Sequence, residues 1–244
     1  MPFLAASRTD PTIRPLRATV AGIGGYGTSH HEAFRELEAR RPVAVAATCD
    51  PRFKALQDLC ERFDFAARGV EVFEHFEEMM AKNAGQVDFA TIATPIPLHE
   101  EMHAACVRAG VGCYIEKPPT LDPVELERMI ARDRTAPRRT QVGFHYVHQP
   151  ERRALKQRMM SGEFGSLQRM ALTGLARRPE SYYLRNNWAG RLELHGRLVL
   201  DSCCGNAFAH AVNNLLFFAG LDAMDTWSAP ATIHAELYRS NAIE

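Results

Sequence analysis

The chain has 244 residues, 46% of them hydrophobic, so it is long enough to bury a substantial core and falls outside the disordered and collagen-like classes. Its 29 basic residues balance 29 acidic ones, which removes any bulk attraction for nucleic acid or an anionic membrane; neither partner is expected. Six cysteines (Cys49, Cys60, Cys106, Cys113, Cys203 and Cys204) form no CxxC pair and no metal-finger spacing, so no metal site is expected and free thiols in a reducing cytoplasm are.

Residues 1 to 15 contain no apolar core of signal-peptide length and read as a loose arm. From Arg17 the sequence runs RATVAGIGGYGTSHHEAFRELEAR. This is a short apolar strand, then Gly22, Gly24 and Gly27 with Gly25 and Tyr26 among them, then a helical pattern with Phe34 and Leu37 on one side. In that context the glycines let the backbone turn tightly and approach a pyrophosphate held at a helix N-terminus. The next strand, VAVAATCD, ends in Asp50, some 20 residues past the last glycine, where an acid accepts hydrogen bonds from an adenosine ribose. A turn role before Pro51 is the plainer alternative. Asp50 repels a 2'-phosphate and so favours NAD; Arg52, close behind it, is suited to pair with that phosphate and keeps NADP open.

Strand and helix signals then alternate: VEVF before EHFEEMMAKN, VDFATIAT before PLHEEMHAACVRAG, and GCYIE before a Lys-Pro-Pro stop. Such alternation predicts a doubly wound parallel α/β sheet of the Rossmann type. Ligands sit at the carboxyl ends of its strands, which places the loop with Thr94, Pro95 and His99 over a cofactor and gives Glu116 and Lys117 positions where chemistry occurs. Capping of the following helix is the simpler role for His99. A last helix starts with Asp122 as N-cap and Pro123 in its first turn and leads to a strand, QVGFHYV. A six-stranded dinucleotide-binding domain over residues 1–149 is therefore expected.

Residues 150–244 read as a smaller unit with helix and strand signals: a helix up to Ser161 and Gly162, a strand LQRMALTGLARR, a loop PESYYLRNNWAGRLELHGR, and a helical stretch LVLDSCCGNAFAHAVNNLLFFAG. On a helical wheel from Asn206, the residues Asn206, His210, Asn213 and Asn214 share one face, while Phe208, Ala211, Leu215 and Phe218 share the opposite one. The amide and imidazole stripe, which carries no Lys or Glu, reads as facing a ligand. Tyr182, Tyr183 and Trp188 beside Arg185, Asn186 and Asn187 suit a polyhydroxylated ligand, rings covering C–H faces and donors meeting hydroxyls; interface packing accounts for the same composition. Arg177, Arg178, Arg185, Arg191 and Arg197 add a basic bias that reads as scattered surface charge or as a site for a carboxylated or phosphorylated sugar.

The turn Gly22-Ile-Gly24-Gly-Tyr-Gly27 followed by His30, the pair Thr94-Pro95 with His99, the run Glu116-Lys117-Pro118 and SGEFGSL at 161–167 together resemble the Gfo/Idh/MocA oxidoreductases, from about residue 17 to the end. The resemblance implies a nicotinamide-dependent oxidation or reduction of a sugar, a polyol or a related hydroxy compound, in a cleft between the Rossmann domain and an α+β second domain, residues 150–244, with an open, mostly antiparallel sheet. It implies that Lys117 binds the reacting oxygen, where an ammonium favours a developing alkoxide, that Glu116 orients the lysine or the nicotinamide ribose, and that His210 exchanges the proton. Asn213 stands where the family often has an acid. Asp201, nine residues before His210, departs from the usual spacing; contact with the histidine and helix capping are both open for it, and the intervening loop lines the pocket with Asn206. A homo-oligomer through the second-domain sheet is expected, since the final ATIHAELYRSNAIE has strand-like alternation without a closing element, as in a piece of a longer chain or an abbreviated domain. A dinucleotide-binding sensor without turnover is the alternative to an enzyme.

Overall fold

The computed structural model describes residues 14–40, 43–185, 187–194, 196–236 and 238. The expected loose arm and Asn186 lie outside them, except for Arg14 and Pro15. The chain divides into two compact units, one up to Gly143 and one from Phe144.

The first unit follows the alternation of the sequence. Its strands are β1 (Leu16–Ala21), β2 (Val43–Cys49), β3 (Glu71–Phe73), β4 (Phe89–Ile92), β5 (Gly112–Ile115) and β6 (Thr140–Val142). Between them run α1 (Gly27–Arg40), α2 (Gln57–Arg62), α3 (Phe76–Lys82), α4 (His99–Arg108) and α5 (Pro123–Thr135). The six strands lie in the order β3-β2-β1-β4-β5-β6 and every pairing is parallel. The order reverses between β1 and β4, the switch point at which doubly wound sheets open a crevice beyond their strand ends. Ala18, Val20, Ala90, Ile92 and Ile115 are fully buried, as strands covered on both faces require. Two apolar clusters cover the sheet, one containing Met79, Cys106 and Met129 and the other Phe34, Phe63 and Phe65; each large side chain removed from water in this way contributes about 1.5–3 kcal/mol.

Two local devices fix the ends of this sheet. At the start of β4, Asp88 receives both arms of Arg14 (2.6 and 2.7 Å), the Arg17 backbone N–H (2.9 Å) and an ion pair with Arg138 (3.3 Å). At the start of α5, the Asp122 carboxylate accepts from the backbone N–H groups of Val124 (2.8 Å) and Glu125 (3.4 Å), the capping that its sequence predicts.

The second unit contains α6 (Pro150–Met160), a short α7 (Glu180–Tyr183), an antiparallel pair β7 (Glu193–Leu194) and β8 (Arg197–Leu198), a π turn over Cys203–Ala207, and α8 (Ala209–Ala219). Lys156 of α6 is fully buried: its amine lies 4.0 Å from the centre of the Phe217 ring and donates to the Thr226 carbonyl at 2.7 Å, while Arg153 pairs with Asp225 at 2.8 Å. Burial pushes the Lys156 pKa down.

Four expectations need correction. The segment LQRMALTGLARR forms no strand, because a ladder needs a neighbour and the described residues of this unit pair only β7 with β8. The alternation at residues 231–236 forms none for the same reason. The strand QVGFHYV ends at Val142, and His145–His148 is a 3-10 turn. In α8 the covered face carries Ala209, Asn214 and Phe217, while Leu215 and Phe218 are half-exposed; periodicity told which residues share a face, not which face is covered, and Asn206 precedes the helix.

Candidate functional site

The carboxyl end of β1 leads straight into the glycine turn. Gly22 has φ +104° and donates to the Cys49 carbonyl at 2.8 Å; a Cβ there meets the Ala93 carbonyl oxygen at 2.9 Å. At Gly27 a Cβ falls 2.3 Å from the Gly22 carbonyl oxygen, so the first turn of α1 closes on the end of β1 only because no side chain intervenes. Gly24 packs against Leu56, and Gly25, at φ +57°, faces open space. Tyr26 is exposed, its ring edge-on to His30.

Asp50, at the end of β2, is 8% exposed. Its Oδ2 accepts from the N–H groups of Ile23 (3.2 Å) and Gly24 (3.3 Å), and its Oδ1 from the Arg52 N–H (2.9 Å). The carboxylate therefore fastens the glycine turn and also makes the local turn that Pro51 announces. Arg52 has an exposed side chain.

At the end of β5, Glu116 is buried, with Oε1 2.9 Å from His30 Nε2 and Oε2 3.2 Å from the Lys117 N–H. Gly143 makes room for it: a Cβ there stands 3.2 Å from Oε1. Lys117 is half-buried and the peptide bond that follows it is cis. Thr94 and Pro95 follow β4, and the His99 ring lies 1% exposed beneath them, with Nε2 2.8 Å from the Thr94 carbonyl oxygen and Nδ1 3.1 and 3.2 Å from those of Pro118 and Pro119. Its imidazole thus faces backbone rather than open space, and the N-cap of α4 is Leu98. Burial pushes the His99 pKa down against the pull of the three carbonyls and Glu116.

Sequence reasoning missed two imidazoles here. His30 entered only as part of a motif, and its partner is 86 positions away. His31, fully buried against Phe63 and Phe65, has Nε2 3.2 Å from Thr48 Oγ1, whose hydroxyl donates to the Val20 carbonyl. The Thr48 oxygen therefore accepts from His31, and His31 Nδ1 is buried with no hydrogen-bond partner; burial lowers its pKa to about 4. No spacing rule signals either contact.

In the second unit Asp201, Asn206 and Trp188 form one group. The Asp201 carboxylate accepts from Gly190 N–H (2.7 Å) and Asn206 Nδ2 (2.8 Å), and Arg185 stands 3.8 Å from it and 5.1 Å from the centre of the Trp188 ring. The capping oxygen of the following π turn is Ser202 Oγ, not Asp201. His210 sits with another group, drawn from the segment whose apolar pattern predicts a strand: its ring stacks on Tyr146 at 4.2 Å and meets His145 at 4.7 Å and Phe144 at 5.8 Å. Asn213 Oδ1 accepts from the Trp227 indole at 3.5 Å.

These residues fit a bound dinucleotide. The glycine turn presents a bare backbone surface at Gly25 beside the N-terminus of α1, and an acid stands at the end of the adjacent β2. Among the described residues no group of three His, Cys, Asp or Glu side chains is gathered to hold a metal ion, and no helix is long and apolar enough to cross a membrane.

A family model described as "Oxidoreductase family, NAD-binding Rossmann fold" matches residues 16–144. The inositol 2-dehydrogenase of Leifsonia xyli subsp. xyli is 30% identical over 175 residues, covering 70% of this chain and 48% of that enzyme. The chain thus spans about half the length of the curated relatives it matches. The myo-inositol 2-dehydrogenase from Lactobacillus plantarum superposes with a TM-score of 0.53 at 25% identity, over 62% of this chain and 42% of its own. The WlbA dehydrogenase from Bordetella pertussis, solved with NADH and UDP-GlcNAcA, shares the fold over 88% of this chain and 57% of its own, with a TM-score of 0.67 at 23% identity.

Proposed function

This chain belongs to the Gfo/Idh/MocA oxidoreductase family with its NAD-binding Rossmann fold, and from that premise we propose that it transfers hydride between NAD and a CH–OH or carbonyl group of a sugar, polyol or related compound. One arrangement carries the proposal: the glycine turn, Asp50 and the Glu116–Lys117 pair all lie at the carboxyl edge of one parallel sheet. In this reading residues 1–149 bind the cofactor and residues 150–244 bind substrate and form the oligomer contact.

Gly22, Gly24, Gly25, Tyr26 and Gly27 hold the diphosphate, Asp50 and Arg52 flank the adenosine ribose, and Thr94, Pro95 and Glu116 border the nicotinamide half. When bound, the nicotinamide supplies a hydride acceptor for oxidation and a hydride donor for reduction. The Lys117 ammonium holds the substrate oxygen and stabilises the negative charge that grows on it. His210 takes up the hydroxyl proton on oxidation and returns it on reduction, work suited to an imidazole. Trp188, Asp201, Asn206 and Asn213 meet the substrate's other hydroxyls. Asp50 places an acidic side chain where a 2'-phosphate would sit, which supports NAD over NADP. The free state of all six cysteines supports a cytoplasmic setting.

The test is titration of the full chain with NADH and NADPH, followed by a sugar and polyol panel read by nicotinamide absorbance, in wild type and Lys117→Ala. The expected result is tighter binding of NADH and a loss of roughly 100-fold or more in kcat/KM for the variant. A variant that turns over every accepted substrate at the wild-type rate overturns the assignment, and binding without turnover on the whole panel favours a sensor.

A further inference from the structure

Two consecutive prolines after Lys117 create a local imbalance: Pro118 and Pro119 bring two carbonyl acceptors and no N–H donor. Pro118 is buried, so its carbonyl needs a donor from elsewhere. His99 faces both carbonyls through Nδ1, at 3.1 and 3.2 Å, and presents Nε2 to the Thr94 carbonyl at 2.8 Å. All three partners are acceptors, so each ring nitrogen engages them only when it carries the hydrogen: a neutral His99 donates either to Thr94 or to the two prolines, and the doubly protonated ring, which the three carbonyls and Glu116 favour and burial opposes, donates to both sides. One fully enclosed side chain thereby stands within hydrogen-bonding distance of both the loop after β4 and the turn after β5.

The rest of that turn is held independently. Glu116 is fixed by His30 and accepts from the Lys117 N–H. Thr120 Oγ1 donates to Glu125 at 2.7 Å and accepts from the Asp122 N–H at 3.1 Å. Lys117 therefore stands between two anchored points, and His99 secures the stretch that joins them. We propose that His99 is a positioning residue: it clamps the Thr94–Pro95 loop to the Lys117–Pro119 turn and so sets the place of the Lys117 amine. This rests on the role proposed above for Lys117, while the clamp itself is a claim about the first unit.

The two arms of the clamp are separable by substitution. His99→Gln places a donor near Nε2 and keeps the Thr94 arm; His99→Asn places one near Nδ1 and keeps the proline arm. Two measurements on the full chain report on them: the pH profile of Lys117 acylation, followed by mass spectrometry, and NADH affinity by fluorescence titration. His99→Gln is expected to shift the Lys117 profile and lower kcat by about tenfold to a hundredfold while leaving KM near wild type. His99→Asn is expected to keep the Lys117 profile and weaken NADH binding about tenfold by releasing the Thr94 loop. A wild-type Lys117 profile in His99→Gln overturns the proposal. Equal changes in both variants accompanied by an equal fall in Tm overturn it as well, since they mark general loosening. If the wild type binds neither NADH nor NADPH the functional reading fails, and the Lys117 acylation profile still decides the clamp.

Discussion

At Gly27 the structure leaves no space for even one methyl group, because a Cβ lies 2.3 Å from the Gly22 carbonyl oxygen. Gly27→Ala must move the start of α1 away from β1. The expected outcome is a loss of about 1–3 kcal/mol, read as a lower Tm, together with at least tenfold weaker NADH binding. His31 gives a second prediction at this scale. Its folded pKa of about 4 lies below the ordinary 6.5, so between those values the unfolded chain binds the proton and the folded chain resists it. The stability tied to the neutral ring is complete above about pH 6.5 and is lost as pH falls towards 4, by at most about 3 kcal/mol. Denaturant titrations across that window should show the loss in wild type and a flatter profile in His31→Phe. Neither imidazole contact was legible in the sequence: His30 and His31 lie in α1, while their partners Glu116 and Thr48 stand after β5 and in β2. The glycines, Asp50 and the Glu-Lys-Pro run were legible because each lies where a strand ends, and strand ends follow from local apolar pattern.

Elements were legible wherever their own residues carry the signal. The Asp122 cap of α5 is such a case, and Asp122→Ala should cost about 1 kcal/mol, or about 2–4 °C in Tm, without changing NADH affinity. Elements were illegible where a neighbour decides. The segment LQRMALTGLARR has strand-like composition and no ladder partner among the described residues. The periodicity of α8 separates two faces, but Asn214 rather than Leu215 or Phe218 is the side chain that goes inward, with Phe217. Phe217 is held there by the Lys156 amine over its ring, a cation that hydropathy counts as a surface residue.

For the whole molecule, the sheet order follows from the alternation of strands and helices together with the right-handed crossover rule, which leaves few topologies for six parallel strands. Binding should stabilise that unit: a hundredfold excess of NADH over its Kd adds about 2.7 kcal/mol and raises Tm, and Lys117→Ala should retain most of the gain. The carboxylate at the opposite edge adds a second acid-sensitive contribution, at lower pH than that of His31. Arg14 leads the groups that hold the Asp88 pKa down at about 2, below its ordinary 3.8, so its contribution is present above about pH 4 and lost as pH falls towards 2. Asp88→Asn should lower stability at neutral pH by on the order of 1 kcal/mol, a figure reduced by the solvent around Arg14, and the difference from wild type should vanish near pH 2.

The Asp88 junction has a practical corollary. In a parallel sheet all strands begin along one border, so a surface tether attached beside Asp88 grips the molecule on the side where β4 starts, and the glycine turn, Asp50 and Lys117 are left on the border facing away from the support. A sensor chip coupled at that border should therefore keep its NADH response, whereas coupling at the carboxyl ends of the strands would block it.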